Sequence, residues 1–113
     1  MNRPTHLSHL TPARQQLVRY CQALNYGTIR AIEVRSGDPV LSPAPTVLYD
    51  WRLDADERPR PQTASHDFEL RQEVTRMTDK LDQIGNGWIE QIEVRAGLPR
   101  RMTIEVPLQA VAR

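Results

Sequence analysis

Two histidines near the start of the chain have a spacing that a metal ion could use. His6 and His9 are three residues apart, so on a helix they would lie on one face. A zinc site needs three or four nitrogen, sulfur or carboxylate ligands, and His66 is the only other histidine. With no cysteine or carboxylate at ligand spacing, we predict no metal site at these residues.

Two further clusters could hold a ligand but lack the necessary pattern. Asp54, Asp56 and Glu57 could attract a hard cation, yet they lack the glycine and the closing glutamate of a calcium loop. The glycines of Gly85-Asn86-Gly87 do not follow a strand and open a helix, as a phosphate-binding loop would. We therefore predict no metal ion and no cofactor.

The single cysteine, Cys21, is the obvious candidate for a nucleophile. It falls on the apolar side of a predicted helix, which favours a buried, unreactive thiol. Nucleophilic catalysis also needs a base and a group that orients it, and no local pattern supplies them. We predict a protein without enzymatic activity, although residues distant in sequence could still assemble an active site.

The strongest candidates for binding are two pairs of opposite charges. The tetrapeptide Ile-Glu-Val-Arg occurs twice and places Glu33, Arg35, Glu93 and Arg95 at alternate positions of two predicted strands. Strand alternation puts the apolar residues on one face and these four on the other. They either form a solvated face, with Glu33 near Arg95 and Arg35 near Glu93, or a charged surface that binds a protein partner.

The chain repeats one pattern at an offset of 60 residues. Residues 27–39 and 87–99 share eight identities in thirteen positions, without a gap. Upstream of each block, apolar residues recur every three or four positions, as on one face of a helix. We predict helices near residues 12–25 and 67–84.

Each predicted helix has boundary signals. Thr11 before Pro12 is typical of an N-cap, and Asp67 or Ser65 could cap the second helix. Glycine ends both predicted helices: Gly27 the first, and Gly85 with Gly87 the second.

The segments after the helices are predicted hairpins with glycine turns. Ile29 and Ile32 are three residues apart, which breaks strand alternation, and a β-bulge would return both to the core face. In the first unit, the prolines of residues 42–45 interrupt the outgoing strand. Beyond them Val47, Tyr49, Trp51 and Leu53 alternate with polar residues. This pattern predicts that Trp51 belongs to the core.

Together these elements predict an α+β two-layer sandwich of duplicated α-β-β units, in the order αββαββ. We expect an antiparallel sheet of four or more strands with both helices on one face, because neither unit can bury its apolar face alone. The chain of 113 residues is predicted to be a single domain, 1–113. Its parts are a first repeat at 11–53, a linker or exposed loop at 54–66 and a second repeat at 67–109. The residues before Thr11 are expected to be loose.

The first unit resembles a known family. Leu24-Asn25-Tyr26-Gly27-Thr28-Ile29, followed by Val34, Gly37 and Val40, is similar to the YezD-like small bacterial proteins, a family of unknown function built from about one helix and one hairpin. The resemblance covers roughly a quarter of the chain. It departs from the family pattern in a glycine-to-glycine interval one residue longer, and in Ser42–Pro45, which replaces a polar stretch. The resemblance implies a fold and no activity.

Composition narrows the function without naming it. The net charge is +1, with 39% hydrophobic and 26% charged residues, which is typical of a globular protein. No leader or membrane span is predicted, so we expect a cytoplasmic protein. We expect a non-enzymatic protein-binding or adaptor module. Whether its partner is a second copy of the chain, in a homodimer, is left open.

The alternative function is nucleic-acid binding through an arginine-bearing sheet face. Its residues would be Arg30, Arg35, Arg95, Arg100 and Arg101. The small net charge, the interleaved glutamates and the expected lack of an exposed aromatic stripe favour the protein partner instead.

Overall fold

A computed structural model describes residues 3–54 and 67–111. After a 3-10 turn (Leu7–His9), the elements in chain order are α1 (Pro12–Leu24), β1 (Gly27–Arg35), β2 (Asp38–Val40), β3 (Thr46–Tyr49), α2 (Gln72–Ile84), β4 (Gly87–Arg95), β5 (Leu98–Ile104) and α3 (Leu108–Val111). No helix in these ranges is long and apolar enough to cross a lipid bilayer.

All strand pairs in the sheet are antiparallel, in the order β2-β1-β4-β5. β3 also pairs with β1, along residues 27–30, whereas β2 pairs with residues 33–35. The two short strands therefore follow one edge of β1 in succession, separated by the segment with the prolines. The predicted α+β class and the antiparallel sheet of at least four strands are confirmed.

The main elements recur at the offset seen in the sequence. α1 begins at Pro12 and α2 at Gln72, and β1 begins at Gly27 and β4 at Gly87, which is 60 residues later in both cases. That the chain consists of two copies of one unit stays a prediction. Most of the predicted linker at 54–66 lies outside the described residues.

The core fills the space between the sheet and the two long helices. The apolar side chains of one sheet face are buried, three from each central strand: Ile29, Ile32, Val34, Ile89, Ile92 and Val94. They join one cluster with the apolar faces of α1 and α2. Both helices therefore lie on the same face of the sheet, as predicted.

A bulge keeps the isoleucines of β4 on the core face. The register between β4 and β5 shifts between Ile89 and Gln91, within the three-residue step that breaks alternation. In β1 the same step contains Ala31, whose φ of 57° is unusual for alanine. Both irregularities lie where the sequence predicted a β-bulge.

The N-terminal boundaries of the two helices confirm the cap predicted for the first helix and correct the cap predicted for the second. The side chain of Thr11 accepts a hydrogen bond from the Arg14 N–H at 3.2 Å, as expected of an N-cap. The second helix begins at Gln72, and its N-cap, Arg71, makes no side-chain cap bond. Asp67 is therefore not the cap, and Ser65 lies outside the described residues. Asp67 instead accepts the backbone N–H groups of Ser8 and Phe68, each at 2.9 Å.

The C-terminal residue of the first helix also differs from the prediction. α1 ends at Leu24, and Asn25, with φ of 63°, takes the left-handed position expected of Gly27. Asparagine tolerates this conformation better than most residues. Gly85, with φ of 65°, has the same role after α2, as predicted.

Residues 3–10 are held by hydrogen bonds to the second half of the chain, although the sequence predicted that the segment before Thr11 is loose. Leu7 donates its N–H to the Phe68 carbonyl at 2.9 Å, and Leu70 donates to the Thr5 carbonyl at 2.8 Å. Leu7 and Leu10 are both buried in the core. The sequence did not indicate this, because two leucines are too few to form a periodic pattern.

Each hairpin turn is hydrogen-bonded to the end of the helix from the other half. Gly37 donates its N–H to the Gly85 carbonyl at 2.7 Å, and Gly97 donates to the Asn25 carbonyl at 2.9 Å. Arg14 adds bonds from Nη2 and Nε to the Gly37 carbonyl, at 2.8 and 3.1 Å. The two glycine bonds satisfy helix-end carbonyls that lack partners within their own helices.

We predict that alanine has different effects at the two glycines that begin β1 and β4. A Cβ on Gly27 would collide with the Leu48 carbonyl oxygen, whereas a Cβ on Gly87 would lie 3.3 Å from the Ile84 side chain. Gly27→Ala should lower the free energy of unfolding by about 1–3 kcal/mol, because β1 and β3 must separate. Gly87→Ala is the matched control and should stay within about 1 kcal/mol of the wild type. Urea unfolding of both variants measures the difference, and equal losses would contradict the register of β3 on β1.

Candidate binding surfaces

The sheet face opposite the helices, which we call the outer face, carries the charged residues predicted to bind a partner. Glu33 and Arg35 alternate with the buried residues of β1, and Glu93 and Arg95 do so on β4. All four therefore lie on one surface, as the sequence indicated. Whether this surface binds anything stays a prediction.

The predicted cross-strand ion pairs are wrong. The register of β1 on β4 places Glu33 opposite Trp88 and Glu93 opposite Thr28. Arg35 instead bonds Glu33 of its own strand at 3.1 Å, and Arg95 bonds Glu93 at 3.1 Å. Both arginine side chains are about two-thirds exposed, at 66% and 67%, so each pair adds little to stability.

The five arginines of the nucleic-acid alternative do not share one surface. Arg30 lies opposite Gln91, and Arg101 lies opposite Glu93, which puts both on the outer face with Arg35 and Arg95. Arg100 is the extra residue where the β4–β5 register shifts, and its Nη1 lies 3.5 Å from the Glu73 carboxylate of α2. It therefore lies on the helix side.

The outer face also carries an exposed aromatic residue that the sequence did not indicate. Trp88 lies directly opposite Glu33 and is 61% exposed. Leu48, opposite Thr28, is exposed on the same face. The arginine-bearing face therefore has one exposed aromatic side chain, which is less than a stripe.

Trp51 is not a core residue, contrary to the prediction. It is 72% exposed, and its ring lies 6.2 Å from that of Tyr49 in an edge-to-face arrangement. Val47 and Tyr49 do have the parity of the core face, since Val47 lies opposite Ile29. They remain exposed because β3 is an edge strand, where parity alone does not bring a helix above the side chain.

An open groove of about 1080 Å³ lies between α2 and β5. Met77 and Ile84 of α2 line one wall, and Met102 and Ile104 of β5 line the other. Further apolar lining comes from Ile92 and from the C-terminal residues Val106 and Val111. Charged residues of α2 and β5 complete the lining: Glu73, Arg76, Lys80, Arg100, Arg101 and Glu105.

Residues at the corresponding positions of the first half differ in size and polarity. Tyr20 and Leu41, 60 residues before Lys80 and Arg101, are partly buried and pack against the core. Comparing these positions would have suggested that apolar side chains fill less of the space between helix and strand in the second half. Sequence periodicity missed the groove because Ile104, Val106 and Leu108 look like one continuing strand, whereas β5 ends at Ile104.

Three of the reactive side chains considered in the sequence analysis, Cys21, His6 and His9, lie within the described residues. Cys21 is fully buried, and burial raises the pKa of its thiol to about 12. His6 and His9 lie with ring centroids 5.4 Å apart, and the His9 Nδ1 accepts the Thr5 N–H at 3.1 Å. Within residues 3–54 and 67–111, no group of three or more potential metal ligands comes together.

Comparisons with known proteins returned nothing that assigns a function. No family model, no curated protein and no solved structure matches the chain. The resemblance to the YezD-like proteins therefore stays a resemblance. The surfaces must be interpreted from their own chemistry.

We predict that Cys21 reacts only when the protein unfolds. Because its raised pKa keeps the thiol neutral at pH 8, and because the side chain is buried, Ellman's reagent should not label the native protein within minutes. Labelling in urea should be complete at once. Rapid labelling of the native state, with no change in circular dichroism, would contradict a structural role and support a reactive thiol.

Proposed function

We propose that this protein is a non-enzymatic binding module that holds an acidic, amphipathic segment of a protein partner in the groove between α2 and β5. The observation that carries the proposal is the apolar lining of that groove, open to solvent and bordered by cationic side chains. The burial of the only cysteine supports the non-enzymatic part.

The apolar lining supplies a reason for a partner to bind. Met102 is only partly buried, and the groove residues Ile104, Val106 and Val111 are exposed. Covering apolar surface contributes about 25 cal/mol per Å², and grooves of this kind accept one face of an amphipathic helix. A segment with leucine or phenylalanine at helical spacing fits this surface.

The charges around the groove favour an acidic partner. Four cations line the groove: Arg76 and Lys80 on α2, and Arg100 and Arg101 on β5. Arg101 has the parity of the outer face, and Arg100 is 3.5 Å from Glu73. With that pair neutralised, Arg76 and Lys80 outweigh Glu105. A carboxylate-bearing segment gains attraction here, and a basic segment is repelled.

We predict that the groove binds an acidic amphipathic peptide more tightly than a basic one. The protein has two tryptophans, so Trp51→Phe leaves Trp88, at the border of the groove, as the only indole. A Leu/Glu amphipathic peptide should produce a saturable change in Trp88 fluorescence. The same peptide with lysine for glutamate should bind at least tenfold more weakly, because the cations repel it. Equal responses to both peptides, or to a scrambled peptide, would contradict the proposal.

Matched variants test whether a natural protein partner binds in the groove. Lys80→Glu and Val106→Asp alter the groove, whereas Leu53→Ser removes an apolar side chain that is 93% exposed elsewhere. Nuclease-treated host extract should yield a protein that the wild type and Leu53→Ser retain and that both groove variants lose. Retention by all four proteins would show that the groove is not the binding surface.

Nucleic-acid binding is the second candidate, and the outer face is the observation that favours it. Trp88 shares that face with four arginines: Arg30, Arg35, Arg95 and Arg101. Proteins that bind single-stranded nucleic acid stack bases on aromatic side chains and contact phosphates with cations. Glu33 and Glu93 already neutralise Arg35 and Arg95 within their strands. We rank this function second for that reason.

We predict no binding of single-stranded nucleic acid in the micromolar range. A fluorescent single-stranded oligonucleotide titrated at 50 and 200 mM salt should show no saturation in the micromolar range. Tight binding that falls steeply with salt, and that Arg30→Gln and Arg101→Gln each weaken, would reverse the ranking.

A further inference from the structure

We propose that two copies of this chain associate by pairing their β3 strands antiparallel, so that one sheet runs through both copies. This surface is the edge of the sheet farthest from the groove, and the inference does not depend on the proposed function. It rests on three observations: the composition of the two sheet edges, the direction of the free backbone groups, and the positions of Arg30 and Asp50.

The two edges of the sheet differ in their protection against a further strand. β5 contains Pro99, a register shift and the consecutive charges Arg100 and Arg101, which are features that discourage edge pairing. β3 contains none of them between Thr46 and Tyr49. Its apolar residues Val47, Leu48 and Tyr49 are 45%, 52% and 52% exposed. An apolar, unprotected edge strand is a template for pairing, and within the described residues no strand pairs with its outer side.

The direction of the backbone groups on β3 follows from one hydrogen bond. Asp50 donates its N–H to the Tyr26 carbonyl at 3.0 Å, in the same register that places Leu48 opposite Thr28. In an antiparallel pair, alternate residues direct their N–H and C=O groups to the same neighbour. Asp50 and Leu48 therefore face β1, and Val47 and Tyr49 direct their N–H and C=O groups outward.

Only one register pairs both outward residues, Val47 and Tyr49, with residues inside the strand of the second copy. With Leu48 opposite Leu48 of the second copy, Val47 lies opposite Tyr49 of the second copy, and the reciprocal pair follows by symmetry. Four hydrogen bonds then form. Placing Val47 opposite itself instead sets Tyr49 against Pro45, which has no N–H to donate. The first register also makes two valine–tyrosine cross-strand contacts, a favourable combination.

The same register brings Arg30 of one copy near Asp50 of the other. Arg30 and Asp50 form no salt bridge within the described part of the chain, and both have outer-face parity. Thr46 lies opposite Arg30 in its own chain. In the proposed register, Thr46 also lies opposite Asp50 of the second copy. Arg30 and that Asp50 would then be two strand spacings, about 10 Å, apart at the backbone, with a small threonine between them.

The long arginine and the aspartate can close that distance, and symmetry makes the contact twice. This complementarity is between two parts of the same surface, which is the property that a twofold interface requires. We therefore infer a second copy as the occupant, and not a strand from another protein.

A cysteine placed on the proposed axis tests the register directly. In Leu48→Cys the two thiols would belong to directly opposed, non-hydrogen-bonded residues about 4.5 Å apart at Cα, within the range of a disulfide. Thr46→Cys is the matched control, since its two copies would lie four residues out of register. Mild oxidation should cross-link Leu48→Cys and leave Thr46→Cys monomeric on a non-reducing gel. Cys21 is buried and does not interfere. Equal cross-linking of the two variants would overturn the register.

Sedimentation across a concentration series tests the association itself. The wild type should reach twice the chain mass of 13.0 kDa. Val47→Lys, at the proposed interface, should weaken dimerisation at least tenfold, and Val106→Lys, near the opposite edge, should leave it unchanged. Arg30→Asp and Asp50→Arg should each weaken it, and the double variant should restore it, which a structural role alone would not produce. A wild-type monomer at hundreds of micromolar, or no rescue, would overturn the proposal.

Discussion

The antiparallel pairing of β1 with β4 is the interaction on which the other elements depend. Its register sets Ile29 opposite Ile92 and Ile32 opposite Ile89, so four isoleucines meet at the middle of one sheet face. Burying each such side chain contributes about 1.5–3 kcal/mol. A single helix about 10 Å wide cannot cover this area, and both α1 and α2 are needed. The bulges keep the isoleucines on this face, and the N-terminal segment adds Leu7 and Leu10 to the same core.

Local signals in the sequence predicted the elements, and non-local pairing determined what they became. The cap at Thr11, the interruption by the prolines and the bulge between Ile89 and Ile92 depend on a few neighbouring residues. The conformation of residues 3–10 and that of the segment before α2 depend on each other, because the two are hydrogen-bonded. Asp67 looks like a helix cap in isolation, but the Ser8 N–H and hydroxyl, at 2.9 and 2.8 Å, make it the anchor of the N-terminal segment.

For the candidate binding surfaces, too, the sequence predicted the local features and missed the non-local ones. Alternation was sufficient to place Glu33, Arg35, Glu93 and Arg95 on one face, because parity is a property of a single strand. Their partners could not be predicted, since these depend on the register of β1 against β4, which no short motif encodes. Trp51 has the parity of a core residue, and its exposure follows from the edge position of β3. Sequence alternation reports which way a side chain points but does not report what lies above it.

The crossed hydrogen bonds between hairpin turns and helix ends have a thermodynamic consequence. Gly37 and Gly97 donate to carbonyls at the ends of helices from opposite halves, so neither half can open without leaving backbone groups of the other unpaired. The two halves should therefore lose structure in one cooperative step, although the sequence divides them so clearly. In native-state hydrogen exchange, the amides of both glycines would report the same free energy of opening, equal to that of global unfolding.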